Sequence, residues 1–317
     1  MAQFNKAKHI SRCLEMAILF EVSANKPGNV NFVVGFEGTR VEHFLASAVA
    51  ASASFEEAAK RGIAIQNGQL QVNQAGMGEL MRDCVADIDA WQHGGNTLLG
   101  TVMLFIPLAV AAGMTQIGEK GEFDLKQLRA NMKLAVESTT AQDAVNLYDA
   151  IAIASPSGLN DAPDLDVNDA NSKTRLVEED VSLYQVFKIG AGYDDICYEW
   201  VNNFPIAFEL AYPYLMEQLY EKKKCLNTAI THTFLKVLSE RPDTFISRKV
   251  GLEKTLDVSK DAKNVLELGG LDTPKGRESI LLFDRKLREC GNNYNPGTTA
   301  DITAATLALG TLSGYRP

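Results

Sequence analysis

The chain lacks the residue patterns that mark the commonest functional frameworks. No C-x-x-C pair occurs, and the five cysteines (Cys13, Cys84, Cys197, Cys225, Cys290) lie far apart without regular spacing. Neither a zinc site nor a disulfide framework is indicated, and a reducing cytoplasm is the expected setting. Positive charge is scarce: 31 Lys and Arg stand against 40 Asp and Glu, a formal net charge of -9. That balance argues against a nucleic-acid surface or a basic membrane patch, so an anionic ligand must be met by a local cluster of cations or by metal. Long apolar runs are missing as well. The one membrane-like stretch, 98–114, holds Gly100, Thr101 and Pro107 and has no basic flanks. It falls short of the about 20 apolar residues a span needs and reads as a buried central helix. Met1 to Lys6 lacks the apolar core of a signal peptide. Neither G-x-x-x-x-G-K-[ST] nor a strand-linked G-x-G-x-x-G is found, which takes most of the weight from the ordinary P-loop and Rossmann readings.

What is present is helical. With 317 residues and 46% hydrophobic content, the chain can bury a sizeable core. Ile10, Leu14, Ala17 and Ile18 repeat at helical spacing, and the same stripe arrives at Glu21, aiming a carboxylate inward. Lys26-Pro27-Gly28-Asn29 stops that helix. A helix rich in small residues follows from Val41, and 63–73 is the only stretch that suggests a short hairpin or irregular excursion, around Asn67-Gly68. Further helices are predicted over 78–91, 98–114, 123–136, from Thr139 or Thr140, and from Glu178. The stretch 194–220 reads as a long aromatic helix kinked or divided at Pro205 and Pro213. Others follow over 227–238, 244–250, 262–268, 278–288 and 296–312. Residues 155–173, rich in Pro, Ser, Asp and Asn, read as an exposed loop or hinge. The expectation is one all-α domain over 1–317 with buried central helices.

Several stretches carry chemistry. Asn295-Pro296-Gly297-Thr298-Thr299-Ala300-Asp301 reads as a helix start built to hold an anion, with Asn295 as cap, Pro296 at the first helical position and Gly297 allowing close approach. Asp301 shares a face with Ala304, Ala305, Ala308 and Leu312, which points it inward and toward a metal or ligand. Asp243 precedes a short helix carrying the adjacent cations Arg248 and Lys249, which diverge by about 100° and need not share a ligand. Asp143 is open to two readings, a catalytic carboxylate or the acidic member of a capping box with Thr140. Asp194-Asp195 reads chiefly as a helix start near the positive dipole end, and otherwise as a magnesium–diphosphate site of the isoprenoid-synthase kind. Asp164-x-Asp166-x-Asn168 begins like a calcium loop but has Asp169 at position six and Arg175 at position twelve, which that loop does not tolerate.

Taken together, Glu21-Val22-Ser23 with Lys26-Pro27-Gly28-Asn29-Val30, Phe44-Leu45-Ala46-Ser47, Asn96-Thr97 with Gly100, Pro242-Asp243-Thr244 with Arg248-Lys249, and Asn295 to Asp301 resemble the family of triphosphoribosyl-dephospho-CoA synthases. The resemblance implies an all-helical enzyme. In the family's reaction ATP donates its 5-triphosphoribosyl group to the ribose 2′-hydroxyl of 3′-dephospho-CoA, and adenine departs. On residue chemistry, Glu21 is the preferred base with Asp143 a second catalytic carboxylate, and Asp243 and Asp301 are the preferred ligands for Mg2+ accompanying ATP. Lys26, Asn29, Ser47, Asn96, Thr97, Arg248, Lys249, Asn295, Gly297, Thr298 and Thr299 are the expected substrate-binding residues. The partners implied are small molecules, ATP and a ribose- or ribitol-bearing acceptor, with neither nucleic acid nor membrane and with a homo-oligomer allowed. The chain departs from the family where Val34, Gly35 and Gly38 replace a His and Asp, and where Leu98-Leu99 replace a His-Lys pair before Gly100. Those changes leave room for a different acceptor, such as the pterin-linked ribitol of tetrahydromethanopterin assembly. A catalytically silent helical nucleotide-binding protein is the reading from another class.

Overall fold

The computed structural model describes residues 5–159, 162–289 and 291–317; Cys290 lies outside them. In chain order the helices are α1 (Lys6–Ser23), α2 (Val41–Gln66), α3 (Met77–Trp91), α4 (Leu99–Met114), α5 (Leu125–Glu137), α6 (Ala141–Ala154), α7 (Ser172–Glu178) and α8 (Leu183–Gly190). They continue with α9 (Asp195–Val201), α10 (Tyr212–Met216), α11 (Leu226–Glu240), α12 (Thr244–Val250), α13 (Leu252–Glu267), α14 (Pro274–Glu289) and α15 (Gly297–Leu312). Among the described residues the only β pairing is two isolated bridges. The molecule is all-α, and no described helix is long and apolar enough to cross a membrane.

Two helices, α4 and α15, are buried nearly all round and form the axis of the larger core. Packing of α4 against α2 depends on missing side chains. A Cβ at Gly62 would lie 2.0 Å from the Val110 carbonyl oxygen, and one at Gly113 would lie 2.3 Å from that of Ala59, so the two backbones nearly touch. The stripe on α1 holds as the sequence implies: Ile10, Leu14, Ala17, Ile18 and Glu21 are all buried. A second, smaller core gathers Phe234, Leu235 and Leu238 of α11 with Ile246 of α12, Val258 and Val265 of α13, and Phe283 and Leu287 of α14. Because α11 also contributes Ala229 and Ile230 to the larger core, it joins the two.

Three stretches differ from the sequence reading. No hairpin forms over 63–73: α2 runs on to Gln66, Asn67 caps it and a 3-10 turn follows at Val72–Gln74. The 194–220 stretch is divided as expected, but ahead of Pro205 and by π-helical turns. It breaks after Val201, where Asn203 and Phe204 take positive φ, and resumes with π-helical turns at Ile206–Ala211 and Glu217–Glu221 flanking α10. Pro213 cannot donate a backbone hydrogen bond, so the widened turn beside it is the expected response. Glu199 caps the restart, its carboxylate accepting from the N–H groups of Ile206 at 3.0 Å and Ala207 at 2.7 Å. The third difference is the loop after α6. It is irregular up to Asn171, but it folds back over the molecule, with Leu165 buried and its carbonyl accepting from the Tyr148 hydroxyl.

Candidate active site

A cavity of about 450 Å³ opens where α4 and α15 meet the loop after α1, α6, α8, α9, α12 and the 155–167 loop. From the sequence candidates it gathers Glu21, Asn29, Asn96, Thr97, Arg248, Asn295, Gly297, Thr298 and Asp301 on its wall. These residues come from segments as far apart in sequence as Glu21 and Asp301. Only the crossing of α1, α4 and α15 brings them to one place.

Asp301 sits deep in this wall. Its Oδ1 accepts from the Thr101 hydroxyl at 2.6 Å, and a Cβ at Gly100 would lie 2.1 Å from its Oδ2. Gly100 therefore makes the space that Asp301 occupies. Burial pushes the Asp301 carboxyl up to about 8; Glu21 and Asp243 push the same way, while the Thr101 hydroxyl opposes. Glu21 is 5% exposed, with Oε1 in an ion pair 3.1 Å from Lys26 Nζ yet outside hydrogen-bond geometry with any protein group. Burial raises the Glu21 carboxyl and Lys26 partly offsets it.

Lys26 is fully buried and does not line the cavity. Its ammonium donates to the backbone carbonyls of Glu21 at 2.5 Å, Ala24 at 3.3 Å and Val30 at 3.5 Å. The expected phosphate ligand is instead the clamp that closes the turn after α1 and holds Glu21. Lys249 is also committed elsewhere: its Nζ donates to the Asn292 carbonyl at 3.0 Å and lies 3.9 Å over the Phe245 ring. Arg248 does reach the wall, where it pairs with Asp194.

The helix start at 295–301 also differs from its reading. Pro296, not Asn295, occupies the N-cap of α15, and no side chain caps it from that position. Asn295 Oδ1 accepts from Asn29 Nδ2 at 2.8 Å, tying the loop after α1 to this segment. The N–H of Gly297 is used by the Asn295 carbonyl at 2.8 Å. Asp243 supplies the anion: its Oδ2 accepts from Thr299 N and Oγ1, both at 2.7 Å, while Oδ1 accepts from Ile246 N at 3.0 Å. One buried carboxylate thus caps α12 and α15 together. Both oxygens serve as helix caps and Asp243 does not line the cavity, so the structure gives it a capping role in place of the expected metal-binding one.

Asp143 is likewise structural. It completes the capping box with Thr140, accepting from Thr140 N at 2.8 Å, and its Oδ1 accepts from Gly78 N at 2.9 Å. It lies outside the cavity, at the contact between α3 and α6, so a catalytic role is withdrawn. Ser47 is buried behind the wall, bonded to the His43 carbonyl and, at 2.7 Å, to the Thr97 hydroxyl. Thr299 faces Asp243 rather than the cavity. Asn96 Oδ1 accepts from Leu99 N at 3.1 Å, steadying the entry to α4.

Asp164, Asp166, Tyr148, Tyr193, Asp194 and Phe245 also stand on the wall, beyond the residues expected there from sequence. The failed calcium loop was the available signal for the first two. Their carboxylates do order the loop: Asp166 accepts from Ala162 N at 2.5 Å and Asn168 N at 2.6 Å, and Asp164 pairs with Arg175 at 2.8 Å. Nothing in the spacing shows that this loop returns to Tyr148.

A profile of the family described as ATP:dephospho-CoA triphosphoribosyl transferase matches residues 7–317. The chain belongs to this family. It is a transferase that moves a triphosphoribosyl group from ATP to dephospho-CoA. Among solved structures, a protein of Archaeoglobus fulgidus provisionally assigned as a triphosphoribosyl-dephospho-CoA synthase has a similar fold, with a TM-score of 0.62 at 21% identity over 87% of this chain and 100% of that one. No curated protein matches the chain in sequence. Family membership spans both cores, so the helices that form the cavity wall all fall within the matched residues.

Proposed function

We propose that the cavity between α4, α15 and the 155–167 loop is where ATP, with Mg2+, and dephospho-CoA react. The charge balance of the wall carries this reading. Among the described residues the lining holds the carboxyl groups of Glu21, Asp164, Asp166, Asp194 and Asp301 and one cation, Arg248, which is paired with Asp194; Lys26 and Arg175 pair with Glu21 and Asp164 from outside the lining. Such a wall offers a triphosphate little positive charge of its own, so divalent cations would have to come with it. No three His, Cys, Asp or Glu side chains among the described residues form a cage of their own, and Mg2+ needs none, since it is ordinarily held by one or two carboxylates plus substrate phosphates. The donor set fits: Asp301 is a carboxyl that burial and the neighbouring Glu21 and Asp243 keep from carrying its charge unaided, and Glu21 beside it has Lys26 as its counter-charge. Asp301 is the residue we assign to the ion. Bound there, Mg2+ would neutralise and orient the triphosphate, which is transferred intact.

The protein's own groups do the rest. Arg248 meets the phosphates, and Asn29, Asn295 and Thr298 offer hydrogen bonds to them or to the ribose. Cleavage of the ribose C1–N9 bond leaves oxocarbenium character at C1, which nearby carboxylates stabilise. The acceptor 2′-oxygen forms the new bond to C1 and loses its proton to Glu21, while adenine departs with the bonding pair and takes up a proton from water. Lys26 keeps Glu21 fixed for that transfer.

Calorimetry with ATP and Mg2+, together with adenine release in the presence of dephospho-CoA, tests the assignment. Asp301→Asn is expected to weaken Mg2+-dependent ATP binding at least tenfold and to lower kcat/KM by a factor of about 100 or more. Unchanged nucleotide affinity in the folded variant would sink the metal assignment.

A further inference from the structure

The cavity is small for two substrates. A pocket of about 300–1,000 Å³ accommodates one drug-sized ligand, and 450 Å³ lies toward the lower end of that range. Dephospho-CoA alone is an adenosine diphosphate esterified to a long, uncharged arm of gem-dimethyl, amide and thiol groups. Its ribose must enter to reach the reacting carbon, so much of the molecule has to lie outside.

Beside the mouth runs an unusual lip. Val30 and Phe36 both line the cavity, and the segment between them runs along its rim with Asn31 buried and Phe32 to Val34 exposed. Those three are consecutive apolar residues in water: Phe32 is 59% exposed, Val33 79% and Val34 39%. Exposed apolar runs of this length are a fault in a surface unless something covers them. The segment is held in place. Asn31 Oδ1 accepts from the N–H groups of Val33 at 2.9 Å and Val34 at 3.1 Å, and Asn31 N donates back to the Val34 carbonyl at 3.0 Å. Arg288 then donates to the carbonyls of Asn29 at 2.6 Å and Gly35 at 3.3 Å and lies 5.3 Å from the Phe36 ring centroid. A rigid turn therefore presents three apolar side chains to solvent at the edge of a cavity too small for its substrates.

We propose that the lip Phe32-Val33-Val34 is the seat of the acceptor's uncharged arm, and so sets preference for an acceptor that carries such an arm. The proposal rests on the reading of the cavity given above. The lip is continuous with the cavity wall through Val30 and Phe36, and it bears no charge that an arm of amides and methyl groups would have to desolvate.

The test uses the full chain with the double substitution Phe32→Ser/Val33→Ser and, as a control on a remote exposed residue, Leu256→Ser. Adenine release from ATP is followed with dephospho-CoA and with ADP, which has the reacting ribose and the diphosphate but no arm. In the double variant KM for dephospho-CoA is expected to rise roughly tenfold from lost apolar contact. KM for ATP, kcat at saturating acceptor and the weaker turnover with ADP should match wild type, as should every constant of the Leu256→Ser control. An unchanged KM for dephospho-CoA overturns the proposal, and so does an equal loss with both acceptors, which would make the lip a prop for the fold. A lower molecular mass of the double variant in sedimentation would instead make it an interface between copies and also overturns it. If wild-type protein releases no adenine with either acceptor, the reading of the cavity fails, and the arm site fails with it.

Discussion

Glu21 and Lys26 illustrate how a charged pair five residues apart can serve different ends. The helical stripe of α1 dictates that Glu21 points inward, and this is legible in the spacing alone. That Lys26 turns back on the same helix end depends on the tight turn at Pro27-Gly28, where Gly28 adopts φ +69°. A buried ion pair is weak evidence of net stabilisation, but breaking one side of it is costly because the remaining charge stays uncompensated. Lys26→Met is expected to destabilise the protein by about 3–5 kcal/mol in denaturant titration. Adding Glu21→Gln should recover a sizeable part of that loss in a double-mutant cycle. Recovery of nothing would show that Lys26 acts through the backbone carbonyls alone.

Asp243 makes the same point for whole helices. Its place before Thr244 marks it as a cap of α12, and the structure agrees. Its second role, at the start of α15, is invisible in the sequence because residues 243 and 299 meet only once α11, α12 and α15 have packed. The apparent anion seat at 295–301 is thus already filled by the protein's own carboxylate. Each lost cap costs about 1 kcal/mol, so Asp243→Ala is expected to lower stability by roughly 2 kcal/mol or more by thermal or chemical unfolding. Affinity for Mg2+ and ATP, measured well below the melting temperature, should change far less than in Asp301→Asn. A loss of affinity as large as that of Asp301→Asn would restore Asp243 as a ligand. Elements with strong periodicity and clear ends, such as α1, α3 and α12, are legible from sequence. In the 194–220 stretch the prolines announce the division, but a buried Glu199 capping a π-helical restart is a tertiary arrangement with no local signature.

The two cores are joined through α11, and their seam carries a titratable contact remote from the cavity. His232 of α11 is 4% exposed; its Nε2 accepts from Leu271 N at 2.9 Å and its Nδ1 lies 3.3 Å from Gln218 Oε1. Only neutral imidazole can accept at Nε2 while donating at Nδ1. Burial pulls the His232 pKa below its ordinary 6.5; Lys224 and Lys222 act the same way and Asp272 opposes. The unfolded chain therefore takes up the proton first as the solution is acidified. Stability from this contact is fully present above about pH 6.5 and is lost as pH falls through the lower folded value. Denaturant midpoints of wild type are expected to drop between pH 7.5 and 5.5 by more than those of His232→Gln. Parallel losses in the two proteins would show that other groups control acid sensitivity.

From the residues alone follow the all-helical class, the inward aim of Glu21 and Asp301, the capping role of Asp243 and the family likeness, because helical period, caps and short motifs are local properties of the chain. Which carboxylates face the cavity and which are spent on helix ends was decided only by tertiary structure. Asp143, Asp243, Asp194 and Asp301 all read as acidic residues at or near helix starts. Burial and the partners that packing supplies separate them, leaving Asp301 with Gly100 cleared in front of it and Asp243 with both oxygens accepting from backbone and hydroxyl donors of α12 and α15.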